Sequence, residues 1–186
     1  MKNALLLFLL CFGFAAHAQD CDYAEQFTDS LGTYKSTRDY LMCEKNFGNK
    51  SAYIFLKLIN ASGTPIVNFQ SIQKSTDFIK AICFDASSRL FLQLENGRIV
   101  TLVHTNNESC GTMVRIEEEN KYSRLLSGNF LFVQGGIEDL QSSPVSLLRV
   151  KAGTESVDYV IRKEMTSELT GKTTQPSTYF MKYLKC

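Results

Sequence analysis

The sequence predicts a mainly β protein: an antiparallel sandwich or barrel with a short helix near each end, for which α+β is the alternative label. Short runs rich in Val, Ile, Leu, Phe and Tyr recur along the chain, and turn signals such as Gly-Asn, Asn-Gly and Gly-Gly separate them. The clearest example is residues 89–104, RLFLQLENGRIVTLVH, where Asn96-Gly97 divides two apolar runs.

Residues 89–104 are predicted to form a central hairpin. Asn-Gly favours a two-residue type I′ turn, because both central residues of that turn adopt positive φ. This turn would place Leu94 opposite Ile99, Leu92 opposite Thr101 and Leu90 opposite Val103. Both faces of the hairpin would then carry apolar side chains, which predicts a sheet covered on both sides or nearly so.

The predicted helices lie near the ends of the chain. Residues 22–31 are predicted to be helical, because Asp22 can cap a helix and an apolar residue recurs every fourth position before Gly32. A terminal helix is predicted from Pro176, with an apolar stripe formed by Tyr179, Phe180, Tyr183 and Leu184. Residues 137–141 are predicted to form one or two further helical turns.

The remaining elements are predicted to be short strands. A hairpin through Gly48-Asn49 is predicted to join residues 39–46 to residues 52–60. Gly128 interrupts an apolar run and indicates a bulge or a close backbone approach. Further strands are predicted at residues 66–72, 78–85, 112–116, 125–134, 145–150 and 156–162.

Residues 1–18 have the pattern of a signal peptide. A short positive segment precedes an apolar run at residues 4–15, and Ala16-His17-Ala18 is a cleavage site before Gln19. The apolar run is too short to span a membrane, which takes about 20 residues. We therefore expect a secreted or periplasmic protein that consists of one β-rich domain, residues 19–186.

The charge of the expected mature chain is balanced. Removing residues 1–18 takes away one of 20 basic residues and none of 19 acidic ones, which leaves 19 of each. A net charge of zero gives no reason to expect nucleic acid or an anionic membrane as a partner, unless the charge is strongly patterned. No cofactor motif is present, and we expect no cofactor.

The cysteines predict one disulfide, between Cys83 and Cys110. Cys83 precedes the turn that leads into the central hairpin, and Cys110 follows the loop that leaves it, so both would lie at one end of the sheet. The other cysteines of the mature chain share one possible bond and one thiol, and their pairing stays open: Cys21, Cys43 and Cys186. No C-x-x-C motif is present.

Few residues suggest catalysis. His104 is the single histidine after residue 18, so a metal centre with two histidines in one chain is excluded, and we interpret His104 as a strand-end residue without a catalytic role. The acidic run at residues 117–119 is interpreted as a solvated turn. Paired-carboxylate chemistry would draw on Asp158 and Glu164.

Four stretches resemble uncharacterised secreted proteins of Bacteroidota-type bacteria, a group with no assigned activity. They are LQLENGRIVTL, SGNFLFVQGGIEDLQSSPVSLLRV, ESVDYVIRKEMTSEL and PSTYFMKYLKC. The resemblance implies a compact β-rich domain in the envelope or outside the cell. We therefore expect a secreted or periplasmic non-enzymatic module that binds a protein or an envelope component. The alternative is a hydrolase that uses paired carboxylates.

Overall fold

A computed structural model describes residues 23–105, 108–133 and 136–185 of the chain. Most of these residues form antiparallel strands, which confirms the predicted mainly β class. The strands are β1 (Tyr23–Asp29), β2 (Gly32–Thr37), β3 (Tyr40–Phe47), β4 (Lys50–Ala61), β5 (Thr64–Ser75), β6 (Cys83–Phe84), β7 (Arg89–Leu94), β8 (Ile99–His104), β9 (Ser109–Cys110), β10 (Thr112–Ile116), β11 (Lys121–Phe132), β12 (Val145–Ala152), β13 (Glu155–Val160), β14 (Met165–Thr166) and β15 (Thr173–Thr174). The helices in the described ranges are α1 (Ile137–Ser142) and α2 (Tyr179–Tyr183), which follows a 3₁₀ turn at Pro176–Thr178.

Eleven of these strands form one sheet, in the order β1-β2-β4-β5-β11-β8-β7-β12-β13, with β3 beside β4 and β10 beside β11. The arrangement is sandwich-like and does not close into a barrel. β3 and β13 lie far apart in this order, yet Lys45 Nζ on β3 donates a hydrogen bond to the Asp158 carbonyl oxygen on β13, at 3.2 Å. The sheet therefore curls until these two edges approach each other, and we call this line of approach the seam.

The core lies inside the curled sheet. Phe69 on β5 packs edge-on against Phe84 and Phe130, with ring centroids 5.7 and 6.5 Å apart. Tyr179 and Phe180 of α2 are buried in the same core, which confirms the predicted docking of the terminal helix by its apolar stripe. In the described part of the chain, no helix is long and apolar enough to cross a membrane.

The central hairpin forms, but its predicted register is wrong by one residue. The amide of Leu94 donates to the carbonyl of Arg98, and the amide of Gly97 donates back to the carbonyl of Leu94. Gly97 alone takes a positive φ, of 86°, so the turn has three residues with a left-handed glycine at its end and is not of type I′. Leu92 consequently faces Val100, not Thr101.

This register places five aliphatic side chains of the hairpin on one face. That buried face carries Leu90, Leu92, Leu94, Val100 and Leu102. On the other face Gln93 and Ile99 are exposed whereas Phe91 and Val103 are half-buried, so the second face is covered only in part. A shift of one residue exchanges the two faces of a strand, and the burial of five aliphatic side chains together outweighs the local preference of Asn-Gly.

The predicted helix at residues 22–31 is also wrong within the described residues, which begin at Tyr23. These residues form β1, which pairs with β2, and the Phe27 ring stacks on Tyr34 with centroids 4.9 Å apart. Apolar residues four positions apart share one face of a helix and also one face of a strand, so this spacing could not separate the two structures.

The predicted strand at residues 78–85 is reduced to β6. The predicted strands at residues 39–46 and 112–116 correspond to β3 and β10.

Candidate functional site

The predicted disulfide is present. Cys83 on β6 pairs directly with Cys110 on β9, and their sulfur atoms are bonded. Glu108 lies beside both sulfurs, but sulfurs joined in a disulfide offer no thiolate to a metal ion. Cys43 is unpaired and buried, whereas Cys21 and Cys186 lie outside the described residues.

His104 belongs to the core. Its ring packs against Phe84 and Phe130, with centroids 5.5 and 5.1 Å away, and its Nδ1 has no hydrogen-bond partner among the described residues. Burial lowers the pKa of the imidazole, against a smaller opposing effect of Asp85. His104 is the last residue of β8, the strand-end position that the sequence predicts for it.

The structure does not bring Asp158 and Glu164 into one cavity. Arg149 binds both carboxylate oxygens of Asp158 at 2.7 Å and holds the pKa of that carboxyl below its usual range. A general acid needs the opposite shift. Glu164 is exposed and borders a cavity beside Tyr40, which Asp158 does not line.

The acidic run at residues 117–119 lies in the exposed turn between β10 and β11, as predicted. Glu119 pairs with Lys74 at 3.1 Å and with Lys121 at 3.8 Å, and these lysines lower the pKa of its carboxyl. Glu117 pairs with Arg115 at 3.2 Å. The run is therefore neutralised in part by its own neighbours.

The best candidate for a site is a cavity of about 430 Å³ at the seam, which we call the seam cavity. One wall comes from β3 and the other from residues 160–168, which run from the end of β13 onward. It is lined by Met42, Cys43, Glu44, Lys45, Asn46, Phe47, Val160, Arg162, Met165, Thr166 and Glu168. The seam cavity exists because two edges of the curled sheet approach each other without forming backbone hydrogen bonds along their length.

The polar groups of the seam cavity carry both signs of charge. The Asn46 side-chain amide donates to Glu44 Oε1 at 3.0 Å and to Glu168 Oε2 at 2.8 Å. The second oxygen of Glu44 is buried and has no hydrogen-bond partner in the described part of the chain. Arg162 is exposed at the opposite wall and forms no ion pair with any described residue.

Cys43 also lines the seam cavity. Burial raises the pKa of its thiol, and the nearby positive charges of Lys45 and Arg162 offset this rise only in part. A nucleophilic cysteine needs a lowered pKa, because the thiolate is the reactive form. Cys43 therefore packs in the wall of the seam cavity and is not activated as a nucleophile.

A second groove, of about 380 Å³, lies on the other side of the β3–β4 turn and shares Lys45 and Phe47 with the seam cavity. We call it the tip groove and define it by Lys45, Phe47, Lys50, Lys74, Phe78 and Lys80. Its floor includes Ala52 and Ile79, and none of the described residues that line it is acidic.

Neither the seam cavity nor the tip groove was predicted from the sequence. The two walls of the seam cavity are joined by Lys45 and Asp158, which are 113 residues apart, and no local pattern indicates that contact. One signal for the tip groove was present: Phe47 stands at a predicted turn between Lys45 and Lys50. A large apolar residue at an exposed turn has no core to enter.

Comparison of the chain with protein families, with curated proteins and with solved structures found no match.

Proposed function

We propose that the protein is an exported, non-enzymatic binding module that takes a small ligand in the seam cavity. The observation that carries the proposal is the buried Glu44 oxygen without a partner, which faces a cavity that also holds the exposed Arg162 guanidinium. Buried polar atoms without partners are rare in folded proteins, and a ligand that supplies the partners is one explanation.

Export rests on the signal-peptide pattern of residues 1–18 and on the Cys83–Cys110 disulfide, which suits an oxidising compartment. The intact mass of the protein recovered from the periplasm or medium tests it. We expect a chain that begins at Gln19. A mass that retains residues 1–18, or one that carries lipid on Cys11, would contradict export by this route.

The ligand class follows from the lining of the seam cavity. Glu44 and Glu168 suit an ammonium group, whereas Arg162 suits a carboxylate. Met42, Val160 and Met165 supply an apolar surface between them. A zwitterion such as a free amino acid or a peptide end presents these three features together.

Calorimetric titration with amino acids and dipeptides tests the ligand class. We expect binding by the wild-type protein and a loss of about tenfold or more in Arg162→Gln, since a hydrogen bond to a charged group contributes about 1.5–3 kcal/mol. Arg98→Gln is the matched control, because Arg98 is exposed and pairs with Asp139 away from the seam. Equal affinities in the two variants, or no binding of any zwitterion, would count against the proposal.

A specific observation favours the hydrolase alternative as the second candidate. Glu44 and Glu168 accept hydrogen bonds from one Asn46 amide, so their oxygens lie within about 6 Å of each other, a spacing in the range of glycosidase carboxylate pairs. Chromogenic glycosides test this alternative. Turnover by the wild-type protein that disappears in both Glu44→Gln and Glu168→Gln would establish it in place of the binding module.

A further inference from the structure

We propose that the tip groove docks the protein on an anionic lipid surface. This inference concerns a surface separate from the ligand site of the seam cavity and does not depend on what that cavity binds. It rests on two aromatic rings that project into solvent and on four lysines around them.

The two rings are unusually exposed. Phe47, at the β3–β4 turn, is 87% exposed, and Phe78, in the segment after β5, is 70% exposed. They lie at one end of the sheet, where Lys50 at the start of β4 pairs with Ser75 at the end of β5. Transfer of a phenylalanine ring from water into the boundary between lipid headgroups and acyl chains lowers its free energy.

The charges around the rings match an anionic surface. Lys45, Lys50, Lys74 and Lys80 line the groove, and no acidic residue does so among the residues that the structure describes there. Local patterning thus supplies the positive surface that the zero net charge of the mature chain did not lead us to expect.

Two of the lysines, Lys50 and Lys80, can exchange their present partners for lipid phosphates, whereas Lys45 is held at the seam by the Asp158 carbonyl oxygen and Lys74 by Glu119. Lys50 pairs with Asp77 at 3.6 Å, and Lys80 pairs with Glu155. The Lys50 and Lys80 side chains are 64% and 77% exposed, and ion pairs this exposed contribute little to stability. The neighbouring carboxylates still offset part of the positive charge. Binding should therefore depend steeply on the anionic lipid content and on salt.

The shape of the groove favours a membrane over an enclosed small ligand. Rings as exposed as Phe47 and Phe78 project from the surface and do not form the walls of a closed pocket. Their position beside lysines on two adjacent loops is the arrangement of an interfacial anchor, in which rings enter the headgroup boundary and lysines contact phosphates.

Sedimentation of the chain from Gln19 onward with lipid vesicles tests the proposal. We expect binding to phosphatidylcholine vesicles that contain phosphatidylglycerol, little binding to phosphatidylcholine alone, and release at about 1 M salt, where the Debye length is about 3 Å. Phe47→Ser and Phe78→Ser should each weaken partitioning by about tenfold. Lys50→Ser and Lys80→Ser should each weaken it by about fivefold.

Two exposed positions provide matched controls. Leu31, 90% exposed, lies at the β1–β2 turn beside Ser62, at the other end of β4. Lys163 is exposed and pairs with Glu95. Leu31→Ser and Lys163→Ser should leave vesicle binding unchanged, and so should Arg162→Gln, which separates this proposal from the ligand site.

Three results would overturn the proposal. The first is no binding to anionic vesicles at low salt. The second is an equal loss of vesicle binding in Phe47→Ser and Leu31→Ser. The third is a protein partner that binds the tip groove and requires Phe47 and Phe78, while vesicles do not bind.

Discussion

The hydroxyl groups of Thr37 and Tyr179, 142 residues apart in the chain, are hydrogen-bonded at 3.2 Å inside the core. Thr37 Oγ1 also accepts the backbone amide of Leu58 at 3.0 Å. Burial raises the pKa of Tyr179, which keeps its phenol protonated. One threonine thus joins the end of β2, the middle of β4 and the terminal helix α2.

Thr37→Val should destabilise the protein more than Tyr179→Phe. The valine removes the oxygen that accepts the Leu58 amide and bonds the Tyr179 hydroxyl, at a cost of about 2–3 kcal/mol, whereas the phenylalanine removes one hydrogen bond worth about 1 kcal/mol. Urea denaturation of the two single variants and the double variant measures both effects. Equal losses would show that the Leu58 amide does not depend on Thr37.

Gly97→Val should destabilise the central hairpin by about 1–3 kcal/mol, because Gly97 has a φ of 86° and a β-branched residue is strained there. Gly97→Asn should cost less, since asparagine tolerates the left-handed region better than other non-glycine residues. The two midpoints of thermal unfolding test this. A valine variant as stable as the asparagine variant would contradict the observed turn.

This hairpin shows what the sequence could and could not predict. Asn96-Gly97 located the turn, because turn chemistry is local, and the same topology placed Cys83 near Cys110. The register followed instead from the burial of five of the hairpin's aliphatic residues on one face. The seam was not predictable, since the Lys45–Asp158 contact depends on how far an eleven-stranded sheet curls.

Gly128→Ala should destabilise the core by about 1–3 kcal/mol through overpacking. A Cβ atom at Gly128 would lie 2.7 Å from the ring of Phe84 and 3.0 Å from Nε2 of His104, and both rings are buried. This close approach agrees with the prediction from sequence. Phe84→Leu makes room at the same place, so part of the cost of Gly128→Ala should disappear in the double variant. Strictly additive losses would contradict the contact.

Stability should fall as the pH drops below about 6.5, because the buried His104 has a lowered pKa. The unfolded chain then binds a proton that the folded chain resists, so protonation favours unfolding. The loss of stability begins near the pKa of the histidine in the unfolded chain and continues as the pH falls to its pKa in the folded chain. The slope is at most about 1.4 kcal/mol per pH unit.

Denaturation of His104→Gln across the same pH range isolates this effect. The slope above about pH 5 should flatten even if the variant is less stable at neutral pH. The pKa of Asp85, the charged group that acts on His104, is also lowered, and its contribution is lost in a more acidic range. An unchanged slope would show that His104 does not cause the pH dependence.

Peptide mapping without reduction should find Cys83 joined to Cys110 and Cys43 as a free thiol. The bond closes a loop across a sequence separation of 27, which is worth about 3–4 kcal/mol in the chain-entropy model. Replacing both cysteines by serine should lower the free energy of unfolding by about that amount. Cys43 should react much more slowly with a thiol reagent in the folded protein than after unfolding, since it is buried and its pKa is raised.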